Sequence, residues 1–264
     1  MIDFDKIWVE KYRPSKLDDI ILDERTLKVV REFKEEIPNL LFVGSPGTGK
    51  TTLARVIVND ILGCNYLYIN ASDESGIDTI RHNITNFAQT KSFDGKVKVV
   101  ILDEADGLTP QAQAALRNTM ETFAKYCRFI LTANYKHKII PALQSRCQAL
   151  DIKPVVELGV KRCYHILKKE NVKVSDEQKV KFIQLVKRHF PDLRKAINEL
   201  QKNVIDSELC IANINSDNEL LETVYKKVTG LKVLEARKYL IENEDRFQGD
   251  YDTLLTNFLN FIYS

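Results

Sequence analysis

No charge of one sign dominates this chain. Lys and Arg number 39 against 37 Asp and Glu, a net charge of +2 over 264 residues, so composition alone announces no nucleic-acid partner. A local basic face remains open, and the stretch from Lys161 to Lys202 is richer in bases than in acids. Cysteine is sparse: Cys64, Cys127, Cys147, Cys163 and Cys210 are odd in number, scattered and nowhere spaced as C-x-x-C. That excludes a disulfide framework, removes the usual zinc spacing and fits a reducing compartment. The chain also lacks an N-terminal apolar segment and any long uncharged apolar run, so no signal peptide or membrane span is expected. Repeats and low-complexity tracts are absent as well. A soluble, intracellular globular protein is what these absences leave.

Hydrophobic residues make up 44% of the sequence, enough to bury a proper core. Short apolar runs at Asn39–Val43, Tyr66–Asn70, Val97–Asp103, Arg128–Thr132 and Gln148–Ile152 read as strands. Helical patterns alternate with them at Lys50–Leu62, Gly76–Gln89 and Thr109–Ala124. This alternation predicts an α/β domain over residues 1–153, a parallel five-stranded sheet with helices on both faces. After about Pro154 the strand signal stops. Helices at roughly 155–170, 175–188 and 191–203 predict a small three-helix domain over 154–206. A polar stretch from Ile205 to Asp217 leads to further helical patterns in 207–264.

The richest local signal is Asn39 to Thr52, NLLFVGSPGTGKTT. From Gly44 to Thr51 it satisfies every fixed position of the phosphate-cradling loop, with a strand before it and a helix after it. Backbone N–H groups at Gly47, Thr48 and Gly49 would face a phosphate at the helix N-terminus. Lys50 would reach the β- and γ-phosphates, and the Thr51 hydroxyl would hold Mg²⁺. A glycine turn that binds nothing would not need all of these positions. The chain is therefore expected to bind a nucleoside triphosphate.

Other strand ends carry the remaining chemistry. The run Val97 to Asp106, VKVVILDEAD, delivers acids at the end of an apolar strand. Asp103 would position the metal shell and Glu104 would orient the attacking water, although such acids can also cap a helix. Asn134 ends the next strand, where it can contact the γ-phosphate or the water, or simply serve a turn. Arg146, in Ser145-Arg146-Cys147, can pair within its own chain or project to a neighbour.

Taken with Trp8-Val9-Glu10-Lys11-Tyr12-Arg13-Pro14, these boxes resemble the small subunits of replication factor C and, most closely, the ATPase subunit of phage clamp loaders, within the AAA+ superfamily. The resemblance runs from about Trp8 to Leu200. It implies ATP hydrolysis with ATP and Mg²⁺ as ligands, in an AAA+ fold with a helical lid and a helical collar. Val9, Glu10, Lys11, Tyr12, Arg13 and Ile21 would line the adenine and ribose pocket beside Gly44, Pro46, Gly47, Thr48, Gly49, Lys50, Thr51 and Thr52. Arg194 would be a cation from the lid, and Arg146 a finger acting on the adjacent subunit. The implied partners are a sliding clamp, primer–template DNA held through its backbone, and sister and companion subunits in a pentameric ring. Ser75, Gly76, Arg81 and Arg117 fall in segments resembling the DNA-facing helices, which could equally be ordinary amphipathic helices.

Ser75 and Asn118 depart from the arginines usual in cellular members, and with Ser92-Phe93-Asp94-Gly95 they bring the sequence nearer the phage type. That implies viral DNA replication in a bacterial cytoplasm. Only the first part of a collar is expected in 207–264, either reduced or truncated. Two rivals stand beside this reading. One is another AAA+ machine, such as a junction motor or helicase loader, and the other a nucleotide-binding scaffold without turnover. The N-terminal box argues against the first, and the presence of Lys50, Glu104 and Arg146 against the second.

Overall fold

The computed structural model describes residues 6–34, 37–72, 77–90, 95–211, 215–244 and 251–262. Its centre is a parallel sheet of β1 (Leu40–Val43), β2 (Tyr66–Asn70), β3 (Lys98–Asp103), β4 (Cys127–Ala133) and β5 (Gln148–Asp151), in the order β2-β3-β4-β1-β5. Each strand lies within a residue or so of its expected range. The three middle strands are the most apolar, because a parallel sheet covered on both faces leaves no polar side for them. Leu40, Leu41, Phe42, Val99, Val100, Ile101 and Leu102 are fully buried.

Helices cover both faces. In chain order they are α1 (Trp8–Lys11), α2 (Glu24–Arg31), α3 (Lys50–Val56), α4 (Ile77–Gln89), α5 (Pro110–Thr122) and α6 (Pro141–Gln144). One face of the sheet packs Leu41, Val100, Leu102, Phe129 and Leu131 against Ile80 and Ile84 of α4 and Leu116 and Met120 of α5. The other face packs Leu40, Phe42, Ile101 and Ile130 against Val30 of α2 and Leu53, Ala54 and Ile57 around α3. On α4, Ile80 and Ile84 are buried and Phe87 packs against the same core, while the Ile77 side chain lies outside what is described.

Local chemistry sets several boundaries. Asp23 caps α2 by accepting from the Thr26 amide at 2.9 Å. Thr109 caps α5, with Pro110 at the first helical position. α3 runs into a single π turn, Ile57–Ile61, rather than continuing as regular helix to Leu62. Lys98, 5% exposed, makes no ion pair among the described residues and donates to the carbonyls of Phe87 and Thr90 at the end of α4. A cation at a helix C-terminus satisfies carbonyls that have no helical partner.

Beyond the sheet lie α7 (Val156–Lys169), α8 (Asp176–His189) and α9 (Leu193–Lys202), the last two capped by the side chains of Ser175 and Asp192. Their core joins Cys163, Ile166, Leu167, Phe182, Leu185, Val186 and Leu200, and Trp8 from α1 is buried in it. The N-terminal box is thus shared between sheet and helical unit. The strand signal does not end at Pro154, since β6 (Val204–Ile205) and β7 (Glu208–Leu209) form a small antiparallel hairpin. Its turn places Asp206 and Ser207 at φ 49° and 61°. Two-residue strands are too short for a period-two pattern to show. α10 (Asn215–Thr229), α11 (Val233–Glu242) and α12 (Tyr251–Ile262) follow, with Leu220, Leu221 and Val224 at their small core. Among the described residues, no helix is long and apolar enough to cross a membrane.

Candidate nucleotide-binding site

The carboxyl ends of β1, β3 and β4 converge on one cleft of about 360 Å³, closed on its far side by α9. This is where the parallel topology places ligands. The loop between β1 and α3 shapes its floor, with Gly47 at φ 74° and Gly49 at φ 91°, conformations that L side chains rarely adopt. A Cβ on Gly47 would also lie 1.8 Å from the Asp192 carboxylate of the lid. Only glycine fits there.

Lys50 is buried, at 8% exposure, and lines the cleft. Its ammonium donates to the carbonyls of Gly44 and Ser45 and to Asn134 Oδ1, each at 2.8 Å. Burial lowers its pKa below the usual 10.5, against the pull of Asp103, Asp106 and Glu104. A desolvated ammonium needs anionic company, and a phosphate would supply it. Asn134 is brought to Lys50 by Asp106, which accepts from the amides of Asn134 and Tyr135 at 3.1 and 3.2 Å.

Asp103 ends β3 at 7% exposure, surrounded by hydroxyls. Thr51 Oγ1 lies 2.8 and 2.9 Å from its two oxygens, Thr132 donates to Oδ1 at 2.5 Å, and Tyr68 donates to Oδ2 at 2.8 Å. Burial, then the bond to Asp103, pushes the Tyr68 hydroxyl up to about 12, so it is a donor throughout the neutral range. One carboxylate and one hydroxyl on fixed elements are the hard oxygen donors that Mg²⁺ takes alongside phosphates and water. No trio of His, Cys, Asp or Glu is grouped for a metal among the described residues, so an all-protein cage is not what this site offers.

Glu104 follows in the left-handed region, φ 55° and ψ 42°. A glutamate held in that region marks a site whose surroundings impose the conformation. Its amide donates to Thr132 Oγ1 at 3.0 Å, and its carboxylate accepts from Ser72 Oγ at 2.6 Å. Glu104 lines the cleft while engaged by a residue just beyond β2.

On the opposite side Val9, Tyr12, Arg13 and Ile21 line the cleft together with Pro46, Gly47, Thr48, Gly49, Thr51 and Thr52. Arg194 reaches it from α9. Glu10 and Lys11 do not line it: Glu10 accepts from Arg13 at 2.6 Å and Lys11 donates to Glu170 at 2.6 Å. Their positions on a one-turn helix turn both side chains outward. Gly44 sits behind the loop, lining a neighbouring hollow. Arg146 is away from the cleft, donating to Glu121 Oε1 at 2.7 Å through Nε and to the Ala142 carbonyl at 2.8 Å. Arg81 is exposed on α4, and Arg117 on α5 donates to Asn118 at 2.8 Å. Ser75 and Gly76 lie outside the described residues.

Several lining residues escaped the sequence reading: Arg55, Tyr68, Thr132 and Arg162. Arg162 of α7 donates to the Tyr12 carbonyl at 3.0 Å and pairs with Asp19 at 3.3 Å, fastening the lid to the N-terminal segment. Tyr68 and Thr132 were detectable only as polar positions in apolar strands, two residues before Asn70 and just before Ala133.

Residues 40–154 match the family of ATPases associated with various cellular activities (AAA). Residues 152–209 match the family described as sliding-clamp-loader large subunit, AAA+ ATPase lid domain. The replication factor C small subunit of Archaeoglobus fulgidus is 40% identical, with 93% of this chain and 79% of that protein covered. That of Methanococcus vannielii is 43% identical over 84% of this chain and 69% of its own length, and replication factor C subunit 3 of Blastobotrys adeninivorans is 40% identical over 84% and 65%. Among solved structures, the Thermotoga maritima RuvB Holliday junction branch migration motor superposes with a TM-score of 0.60, covering 88% of this chain and 91% of its own. At 19% identity that likeness shows a shared AAA+ fold and nothing finer. The chain belongs to the replication factor C small-subunit family, as an ATP-hydrolysing subunit of a sliding-clamp loader.

Proposed function

We propose that ATP binds with Mg²⁺ in the cleft between sheet and lid, and that its hydrolysis drives the loading of a ring clamp onto primer–template DNA. The observation that carries this is the meeting of Lys50 and Asn134 at 2.8 Å with Asp103, Glu104 and Arg194 around one cavity. Lys50 and the loop amides hold the β- and γ-phosphates, Arg194 approaches them from α9, and Val9, Tyr12, Arg13 and Ile21 flank the base and ribose. Thr51 and Asp103 hold the metal. Bound there, Mg²⁺ would supply positive charge that offsets the charge of the phosphates. Glu104 orients the attacking water and Asn134 fixes its approach, so chemistry here is positioning and charge stabilisation.

Arg146 stands outside its own cleft and serves the ATP of the next subunit. Such fingers contribute on the order of 10³–10⁵ in rate. Exposed apolar side chains on α11, α12 and the turn before α11, among them Leu231 at 90%, Leu234 at 82% and Leu255 at 58%, suit packing against further subunits in a pentameric ring. α4 and α5, with Arg81 and Arg117, and the segment of Ser75 and Gly76 address DNA phosphates without reading bases. Residues 1–153, 154–206 and 207–264 act as nucleotide-binding, lid and collar units. The departures at Ser75 and Asn118 support a viral replication machinery as the setting.

Single-turnover hydrolysis with and without clamp and primed DNA tests this reading against a non-hydrolysing scaffold. Stimulation by both ligands is expected. Nucleotide binding without cleavage under all conditions contradicts it.

A further inference from the structure

The hydroxyls around Asp103 are not equivalent. β3 lies between β2 and β4, and the register sets Asn70 beside Asp103 and Tyr68 beside Ile101. Side chains alternate along a strand, so Tyr68 and Asn70 share a face, as do Ile101 and Asp103. Tyr68 and Asp103 are thus diagonal neighbours across the ladder, with a gap between them. A tyrosine is long enough to cross that gap and end in a donor, and Tyr68 does so, 2.8 Å from Asp103 Oδ2. Thr132 holds Oδ1 from the other side at 2.5 Å. The remaining donor, Thr51, lies 2.8 and 2.9 Å from the two oxygens and has a single hydrogen to share between them. Tyr68 is the donor aimed at Oδ2 alone.

Tyr68 is itself held. The Arg55 guanidinium lies over its ring, 4.5 Å from the centroid. Among the described residues Arg55 makes no ion pair, and its Nε is buried without a hydrogen-bond partner. The ring contact is therefore not a by-product of a salt bridge elsewhere. Burying part of a guanidinium unpaired is costly, and the ring face offsets some of that cost.

We propose that Tyr68, fixed by Arg55, is a positioning residue that orients Asp103 for divalent-metal binding and sets the metal affinity of the site. This rests on the reading of Thr51 and Asp103 as the metal-binding pair. Outer groups that orient a metal-binding side chain influence affinity by about 10–100-fold.

The test is a Mg²⁺ titration of the full chain, read by binding of a fluorescent ATP analogue, with thermal unfolding measured in parallel. For Tyr68→Phe the half-saturating Mg²⁺ should rise by about tenfold, while analogue binding in EDTA and the unfolding temperature stay near wild type. Arg55→Met should shift the titration in the same direction by less. An unchanged titration in Tyr68→Phe overturns the inference. So does a loss of EDTA binding equal to the loss with Mg²⁺, since that is what a purely structural role gives. Asp103→Asn tests the underlying pair separately: its Mg²⁺ response should vanish, and a wild-type response there removes the metal assignment itself.

Discussion

At the scale of single residues, the cleft separates holding from reacting. Lys50 is anchored by two loop carbonyls and Asn134, so its ammonium is aimed before any ligand arrives. Lys50→Ala should abolish ATP binding, whereas Glu104→Gln should bind ATP with near wild-type affinity and lose turnover by at least a hundredfold, roughly the contribution of a positioned acid–base group. Equilibrium binding and single-turnover assays on the two variants check this split. Near wild-type turnover in Glu104→Gln would show that another group orients the water. Lys50 also carries a pH signature. Burial lowers its pKa, so on raising the pH the cation is lost before an ordinary lysine near 10.5 would lose it. ATP affinity should fall as the pH rises through a midpoint below 10.5. Between that midpoint and 10.5 the unfolded chain binds more protons than the folded one, so Lys50's penalty on stability shrinks as pH rises. Nucleotide titrations from pH 7 to 10.5 follow the first effect directly.

At the scale of elements, strand ends and their loops do the positioning. Ser72, just past β2, donates to one oxygen of the Glu104 carboxylate at 2.6 Å, a contact that on the proposed role of Glu104 restrains its orientation toward a water. Ser72→Ala should raise hydrolysis in the absence of DNA and narrow the stimulation that DNA gives. Equal basal rates in the variant and wild type would mean that the contact restrains nothing. α5 is pinned by Gln113, 1% exposed, which donates to the carbonyls of Leu108 and Lys138 and accepts from the Ile140 amide at 2.8 Å. Gln113→Leu leaves these buried backbone groups unpaired and should cost about 1–3 kcal/mol, read in denaturant unfolding. These couplings mark the limit of what the chain's letters disclose. The phosphate loop, the apolar strands and the acids closing β3 were legible because each is a local pattern, carried by neighbours in sequence. Tyr68, Thr132, Arg55 and Ser72 were not, since their contacts with Asp103, Glu104 or one another arise only when β2, β3, β4 and α3 come into register. Glu10 and Lys11 fall outside the cleft lining for a related reason: a box motif names its members together, while a one-turn helix can turn only some of them to the cleft.

At the scale of the whole molecule, the N-terminal segment ties sheet to lid. Trp8 is buried among α7, α8 and α9, its amide donates to Gln201 at 3.0 Å, and Arg162 donates to the Tyr12 carbonyl. A ligand against Tyr12 and Arg13 therefore touches both units at once. The fold's protection is uneven in a way that thiol labelling can follow. Cys64, Cys127 and Cys163 are buried, and burial pushes Cys147 and Cys163 up to about 12, whereas Cys210 is exposed. Native alkylation followed by mass analysis should modify Cys210 first, and early labelling of Cys163 would contradict the lid packing. Arg146 is held by Glu121 away from the cleft of its own chain, and the proposed finger role places it in a neighbour's site instead. The most direct measurement mixes Arg146→Ala and Lys50→Ala subunits in reconstituted assemblies and follows ATP hydrolysis against their ratio. Arg146→Ala subunits should bind ATP normally and hydrolyse it only where the neighbour supplies an intact Arg146, so the mixture regains activity that neither variant has alone. If Arg146→Ala instead loses its own ATP affinity as a monomer, or the mixture stays inactive, Arg146 does not complete a neighbour's site.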